Sequence, residues 1–292
     1  MSQSLGALLE ALRSRRPLIH CITNPISIND CANLILAAGG RPIMAEHPGE
    51  VAEITATAAA LAVNLGNITD VRMESMVLAG QAAREAGVPM VLDCVGVGCS
   101  SLRRRYAQDY LAKIQPQVAK GNLSELLCLS GARQGMSGVD ADGSDRLEGQ
   151  TLSALREFSR RQGAVLLASG PVDGVFAPDG RRWEIRNGHS IMSRLTGTGC
   201  MLNVLTAAFL AVGEPEEAAV AAAGHAGHLR RAGQPERPVG REVCAPLCWT
   251  RPIPSSRKNW TMRRRYAPLR KDETYEPCGF EAVLGDGQRL LR

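Results

Sequence analysis

The sequence has no run of residues long and apolar enough to cross a bilayer, and no basic flank or short apolar core at its start. We therefore expect a cytoplasmic protein that does not associate with membranes. No internal repeat and no linker of biased composition interrupts the first 230 residues. The simplest prediction for this part of the chain is one domain, although a total of 292 residues would allow two.

Nine cysteines are present, but they lack the paired spacing that is typical of structural zinc sites. The nearest case, Cys244 and Cys248, has no second pair to complete a metal site. An odd number of cysteines in a chain without a secretory signal predicts reduced thiols. The cysteines therefore indicate neither a zinc module nor a disulfide framework.

The net charge of +5 is distributed unevenly along the chain. Residues 225–292 contain 14 Lys and Arg against 7 Asp and Glu, whereas the preceding residues contain 20 against 22. A basic tail can bind nucleic acid. Trp249, Trp260 and Tyr266 accompany the charges here, but no recognised nucleic-acid-binding motif does. We predict no nucleic-acid partner, and salt-sensitive binding of the isolated tail to DNA or RNA would contradict this prediction.

The apolar pattern alternates between short strands and helices. Strands are predicted at 18–22, 42–44, 61–65, 90–93 and 164–168, and helices at 4–12, 28–37, 50–56, 70–86, 101–114 and 152–162. This alternation predicts an α/β protein with a mainly parallel sheet, to which residues 172–186 add a hairpin. Ligands of such sheets bind beyond the carboxyl ends of the strands. Four residues are predicted to lie there: Asn24, Met44, Asn64 and Asp93.

Residues 196–200 read TGTGC and precede an apolar run, which predicts a glycine-containing turn into a helix. The main-chain N–H groups of such a turn, with the positive end of the helix behind them, can bind an anion. Asp93 and Glu125, at the ends of two strand-like runs, are candidate carboxylates for a metal. A metal beside an anion site suggests phosphoryl transfer. The alternatives are a simple helix-entry turn at the glycines, a turn cap at Asp93 and a solvated first-turn carboxylate at Glu125.

Six ordered motifs give the sequence a specific resemblance. They are HCITNPISINDCAN (20–33), PIMAEHPGEV (42–51), VNLGN (63–67), VLDCVGVGCSSLR (91–103), KGNLSE (120–125) and NGHSIMSRLTGTGCML (187–202). In this order they resemble the hydroxyethylthiazole kinases of the ribokinase-like superfamily, over residues 5–223. The resemblance implies a three-layer α/β/α kinase domain over residues 1–230.

The resemblance also implies an activity. The reaction would be the ATP-dependent phosphorylation of 5-(2-hydroxyethyl)-4-methylthiazole, a step of thiamine biosynthesis and salvage. Asp93 and Glu125 would hold Mg²⁺, through water or phosphate, because Mg²⁺ keeps much of its hydration. The family pattern further implies a homotrimer whose active sites lie between subunits.

The resemblance assigns roles to individual residues. Met44, Asn24 and Gly197 would contact the thiazole, whereas Lys120 and Ser169 would contact ATP. The family usually has Arg and Thr at these two ATP positions. Lys120 keeps the positive charge but lacks the bidentate fork of Arg, so we expect a somewhat lower affinity for the nucleotide.

Cys200 occupies the position where most ribokinase-like kinases have an Asp base. The positive end of a helix lowers the pKa of a thiol and favours the thiolate. We therefore expect Cys200 to act as the catalytic base beside the anion-binding Gly197 and Gly199. The alternative is that Cys200 only packs in the core, and full turnover of a Cys200→Ala variant would support that alternative.

Residues 231–292 depart from the family pattern. No apolar period survives there, and the Gly-Pro-Gly-Ser, Leu-Asp-Ala and Thr-Glu-Glu elements of the family are missing. Back-translation into the neighbouring frame can restore three such elements in order, which predicts a frameshift between residues 224 and 240. We expect an aberrant, basic and largely irregular tail, and a chain that is less stable for want of the missing helices. The encoding DNA tests this hypothesis directly.

Two other functions stay open from the sequence. A non-catalytic oligomeric relative would bind ligand without turnover, and ATP consumption that depends on a thiazole alcohol would exclude it. A small-alcohol kinase of the hydroxymethylpyrimidine type is the second alternative. The HCITN motif and Cys200 in place of Asp argue against that kinase.

Overall fold

The computed structural model describes residues 5–133, 147–186, 195–232, 282–284 and 289–290. The α-helices of these residues are α1 (Leu5–Arg15), α2 (Ile28–Ala38), α3 (Val51–Thr57), α4 (Asp70–Ala86), α5 (Ser101–Lys113), α6 (Leu123–Ser130), α7 (Gly149–Gln162), α8 (Thr198–Leu210) and α9 (Pro215–Ala232). The strands are β1 (Leu18–Ile22), β2 (Arg41–Ile43), β3 (Ala60–Asn64), β4 (Met90–Asp93), β5 (Val118–Asn122), β6 (Val165–Ser169), β7 (Asp173–Phe176), β8 (Arg182–Ile185), β9 (Ala282–Leu284) and β10 (Arg289–Leu290).

The strands form one sheet in the order β10-β9-β8-β7-β6-β5-β4-β3-β1-β2. The pairs from β2 to β6 are all parallel, whereas β7 to β10 extend the sheet from β6 in antiparallel pairs. Because parallel strands run in the same direction, their carboxyl ends all lie at one edge of the sheet. This carboxyl edge is where ligands of open α/β sheets bind.

Helices cover both faces of the sheet. Successive residues of a strand point to opposite faces, so Ala60 and Ala62 of β3 pack with α1, α2, α8 and α9. Leu61 and Val63 of the same strand pack with α3 to α7 on the other face. A parallel sheet is typically buried on both faces in this way. The predicted three-layer α/β/α fold is confirmed.

The sequence predicts a strand-like run that ends at Glu125, without bounds, and the structure contains a strand there, β5, that ends at Asn122. Its residues Lys120, Gly121 and Asn122 are not typical of a buried strand. The segment is a strand because it lies between β4 and β6 in the middle of the sheet, where both of its edges are paired. By contrast, β1, α4 and β4 have the predicted bounds, and the hairpin of β7 and β8 is present.

The tail contributes β9 and β10 to the sheet, where β9 pairs with the edge of β8. These five residues are extended, whereas a largely irregular conformation is expected for the tail. They can be extended here because an edge strand such as β8 has unpaired main-chain N–H and C=O groups that bind another extended segment. The rest of residues 233–292 and residues 134–146, where the polar, glycine-rich sequence predicts a surface loop, lie outside the described residues. No helix in the described part of the chain is long and apolar enough to span a membrane.

Candidate active site

Three neighbouring strands bring polar side chains together at the carboxyl edge. Asn64 is paired in register with Asp93, and Asp93 with Lys120, so the three residues form a row across β3, β4 and β5. The amide Nδ2 of Asn64 donates to Asp93 Oδ2 at 2.8 Å. The ammonium of Lys120 lies 3.1 Å and 3.0 Å from Asp93 Oδ1 and Oδ2. The register of the sheet therefore builds a buried ion pair.

Lys120 also contacts the first turn of α8, where its Nζ donates to the carbonyl oxygen of Gly199 at 3.1 Å. Burial lowers the pKa of this ammonium, but the negative charges of Asp93 and Glu125 outweigh burial and raise it. Burial raises the pKa of Asp93, and the ammonium opposes that rise only in part. The contact between Lys120 and ATP stays a prediction.

Glu125 lies at the third position of α6, not at the end of a strand as the sequence suggested. Its Oε1 accepts from the N–H of Gly96 and its Oε2 from the N–H of Asn122, each at 2.7 Å. Asn122 Oδ1 in turn accepts from the N–H of Glu125, which completes a capping box. Burial, with the charge of Asp93 second, raises the pKa of Glu125 to about 7. The alternative prediction, a carboxylate in the first turn of a helix, is thus correct in position, but the carboxylate is buried rather than solvated.

The charges of this site suit a divalent cation. Two buried carboxylates, Asp93 and Glu125, face one ammonium, and carboxylate oxygens are ligands that Mg²⁺ prefers. Their oxygens already accept hydrogen bonds from protein groups. No cluster of three or more His, Cys, Asp or Glu residues arranged for a metal occurs within the described ranges. Asp93 and Glu125 therefore suit an ion that keeps its water shell. They suit less well an ion that is coordinated by protein atoms alone.

The turn before α8 requires its glycines for two different reasons. Gly197 has a φ of +87°, and a Cβ there would lie 2.8 Å from the Cβ of Ser27. Gly199 has ordinary helical geometry, but a Cβ there would lie 3.0 Å from Lys120 Nζ. Bare main chain at these positions is what allows Ser27 and Lys120 to approach α8. The predicted turn into a helix is present, with α8 beginning at Thr198.

Cys200 is buried in the first turn of α8 and hydrogen-bonds with the side chains of Ser27 and Asn64. Burial raises the pKa of its thiol, and the charge of Asp93 adds to that rise. The hydrogen bonds and the ammonium of Lys120 lower it less. The expectation of a stable thiolate at the helix N-terminus is therefore wrong, because desolvation and a nearby carboxylate outweigh the favourable partners. The role of Cys200 as base stays a prediction.

Asn24 and Met44 follow β1 and β2, the two strands that lie beyond β3 in the sheet. The side chain of Asn24 caps the 3₁₀ turn Pro25–Ser27 by accepting from the N–H of Ile26 at 3.2 Å. Met44 directly follows β2 and is partly buried against the face formed by α1, α2, α8 and α9. Ser169 ends β6, and its Oγ donates to the carbonyl of Gly121 at 3.3 Å. All three residues are half-buried at the carboxyl edge.

The chain after Met44 is held by side chains that sequence reasoning did not single out. Arg72 of α4 donates to the carboxylate of Glu46 and to the carbonyl oxygen of Thr23. Ser75 Oγ donates to the carbonyl of Glu46 at 2.8 Å. Arg72 therefore ties the segment after β2 to the end of β1. The sequence does not predict these contacts of Arg72, because its partners Glu46 and Thr23 are distant from it in the chain.

His20 and Arg103 also hold loops of the carboxyl edge. The ring nitrogens of His20 lie 2.7 Å from Thr55 Oγ1 and 2.9 Å from the carbonyl of Ala45. Burial lowers the pKa of His20, which favours the neutral ring, so we interpret this histidine as structural. Arg103 of α5 donates to main-chain carbonyls of both the β3 and β4 loops, including that of Gly66 at 3.1 Å.

Comparison with known proteins identifies the family to which the chain is similar. The model of the hydroxyethylthiazole kinase family matches residues 9–237. Hydroxyethylthiazole kinase 2 of Clostridium botulinum (strain 657 / Type Ba4) is 45% identical over 208 residues, which are 70% of this chain and 78% of that protein. Hydroxyethylthiazole kinase of Methanoculleus marisnigri is 44% identical over 233 residues, covering 78% and 82%.

Solved structures show the same fold. Hydroxyethylthiazole kinase from Pyrococcus horikoshii OT3 is 33% identical, with a TM-score of 0.70 over 83% of this chain and 90% of that chain. A ribokinase-like superfamily protein from Enterococcus faecalis V583 has a TM-score of 0.59 at 13% identity, covering 84% and 92%. The second likeness concerns the fold alone. The match over most of the sequence and the first structural likeness show that the chain belongs to the hydroxyethylthiazole kinase family.

Proposed function

We propose that the chain transfers the γ-phosphoryl group of ATP to the hydroxyl group of 5-(2-hydroxyethyl)-4-methylthiazole, a step of thiamine biosynthesis. Membership of the kinase family supports this substrate and ATP as co-substrate. The structural observation behind the proposal is that Asp93 and Lys120 meet the first turn of α8 at the carboxyl edge. Fixed charges and a helix N-terminus at one point can stabilise a transferring phosphoryl group.

The two substrates would occupy different sides of this point. The phosphates would lie beside the turn at Gly197 and Gly199, with Ser169 as a further nucleotide contact. The thiazole would lie towards Asn24 and Met44, with Gly197 between the two substrates. This placement puts the alcohol next to the first turn of α8, which is where the reacting atoms must meet.

Asp93 and Glu125 would hold a hydrated Mg²⁺ ion. When bound, this ion would offset the negative charge of the phosphates. The protein's part is to keep the two carboxylates fixed: Asn64 and Lys120 orient Asp93, and the N–H groups of Gly96 and Asn122 orient Glu125. The excess of negative charge among these buried groups supports this part of the proposal.

In the transfer, the alcohol oxygen forms a bond to the γ-phosphorus while the bond from that phosphorus to ADP breaks, and the hydroxyl proton leaves. Cys200 is our candidate to accept this proton. Because its pKa is raised, the thiolate would be a minor form at neutral pH. Turnover should then increase as the pH rises, and a Cys200→Ala variant should lose turnover while still binding ATP. Full turnover of that variant would remove Cys200 as the base.

The assembly and location of the protein belong to the same proposal. We propose a cytoplasmic homotrimer with sites between subunits, in which residues 1–230 form the kinase domain and the basic tail is a separate region. Sedimentation or light scattering would measure the number of subunits.

The decisive assay measures ADP formation by the chain with and without the thiazole alcohol. A version restored to the neighbouring reading frame after residue 224 serves as the comparison. Consumption of ATP that depends on the thiazole alcohol supports the proposal, and equal consumption with a hydroxymethylpyrimidine would support the other kinase. Ligand binding by both versions without any ADP formation would contradict the proposal and favour a non-catalytic relative.

A further inference from the structure

The ammonium of Lys120 is surrounded by acceptors that belong to the protein. A protonated lysine has three N–H donors. Three oxygen atoms lie within 3.1 Å of Nζ, namely both carboxylate oxygens of Asp93 and the carbonyl oxygen of Gly199. The side chain is only 4% exposed. The protein itself therefore supplies an acceptor for each of the three donors.

The main chain places Lys120 at this point independently of a ligand. The register of β4 and β5 sets Lys120 beside Asp93, and the central position of β5 buries both residues. The bare main chain of Gly199 then admits the ammonium, since a Cβ there would stand 3.0 Å from Nζ. The contact connects a strand of the sheet to the first turn of α8, and 79 residues separate its two ends.

We infer that Lys120 is a positioning residue: it orients Asp93 and holds the first turn of α8, and it does not bind ATP directly. This inference rests on the proposed phosphoryl transfer and changes the role that the family resemblance gave to Lys120. The compact ammonium suits three convergent acceptors, whereas a guanidinium would present a planar fork that these acceptors do not match. Lys120 would thus act on the reaction through the geometry of Asp93 and Gly199.

The first test compares the thermal unfolding of single and double variants. Lys120→Met keeps an unbranched side chain but leaves the Asp93 carboxylate buried without its ammonium, so we expect the unfolding midpoint to fall by roughly 10 °C. Adding Asp93→Asn should recover at least half of that loss, because the unpaired charge is removed. Lys113→Met is the matched control, since Lys113 pairs with Asp109 at 3.5 Å on an exposed surface. A double variant no more stable than Lys120→Met would overturn the inference.

The second test separates positioning from nucleotide binding. The Kd of ATP is measured by calorimetry without the alcohol, and kcat is measured at saturating ATP. For Lys120→Met we expect a Kd within threefold of the unmodified chain and a kcat at least tenfold lower. A tenfold or greater increase in the Kd would overturn the inference, whatever the kcat. If Lys120→Met does not fold, the Kd of ATP is measured for the double variant Lys120→Met/Asp93→Asn and compared with that of Asp93→Asn alone. A difference within threefold supports the inference, and a tenfold or greater increase overturns it.

The unmodified chain is assayed first, which distinguishes this inference from the proposed function. If it consumes no ATP with the thiazole alcohol, the proposed function fails. The unfolding midpoints and the Kd of ATP still decide the role of Lys120, because neither measurement needs turnover.

Discussion

The two sides of the candidate active site are built by different interactions. On the side that we propose for the phosphates, called the phosphate side, Asp93 and Lys120 are neighbours because adjacent strands place them in register, and both are almost fully buried. On the side that we propose for the thiazole, called the thiazole side, the buried Arg72 of α4 holds the segment after β2, and its partner Glu46 is 47% exposed. Buried charges depend strictly on their partners, whereas exposed ones are screened by water. Changes on the phosphate side should therefore reduce stability and turnover together, and changes on the thiazole side should mainly reduce substrate affinity.

The largest effect is expected for Asp93→Asn. This change removes the carboxylate that pairs with Lys120 and leaves a buried ammonium without its counter-charge. We expect a loss of about 3 kcal/mol in the free energy of unfolding and at least a hundredfold loss of kcat. Denaturant unfolding and the coupled assay measure the two quantities. Asp109→Asn is the control, because its exposed ion pair should contribute less than about 1 kcal/mol.

A smaller loss of stability is expected for Gly197→Ala. Its φ of +87° strains any residue with a Cβ, and the added carbon would lie 2.8 Å from the Cβ of Ser27. We expect a destabilisation of roughly 2 to 3 kcal/mol together with loss of turnover. Gly87→Ala separates the two causes, since Gly87 has a φ of +68° with open space around it. If the two variants lose equal stability, the contact with Ser27 contributes nothing.

The third effect concerns Glu125 and the pH. Its folded-state pKa of about 7 exceeds the ordinary value of 4.5, so the folded chain binds the proton more tightly than the unfolded chain. The stability that this group contributes is complete below pH 4.5 and is lost as the pH rises to about 7. We therefore compare the free energy of unfolding of the Glu125→Gln variant with that of the unmodified chain in metal-free buffer. The difference should shift by about 2 kcal/mol in favour of the variant as the pH rises from 5 to 8. A difference in stability that does not change with pH would contradict the raised pKa.

The smallest effect is expected for Arg72→Met, on the thiazole side. The variant loses the ties to Glu46 and Thr23, so the segment after Met44 should move more freely. We expect about a tenfold increase in the KM for the thiazole alcohol, about 1.4 kcal/mol, with little change in the KM for ATP. The control is Arg84→Met on the same helix, where the side chain donates to the carbonyl of Lys113 at the surface. Equal increases in both KM values would show that the two sides are not independent.

Local pattern predicted the elements whose residues suit their environment. The apolar strands β1 and β4 and the helix α4 have the predicted bounds, and polar residues follow the strands as expected. The bounds of β5 are not predicted, because Lys120 and Asn122 do not look like strand residues on their own. The sequence places Glu125 at the end of this strand for the same reason, whereas β5 ends at Asn122 and Glu125 lies in the first turn of α6.

The sequence by itself determined most of the alternation of strands and helices, the three-layer fold and the family, because these depend on local apolar period and on motifs read in order. It also identified the glycines before α8. Only the tertiary structure decided the partners of Lys120 and Arg72 and the burial that raises the pKa of Cys200. These properties depend on burial and on charges that are distant in the chain, and a one-dimensional pattern contains neither.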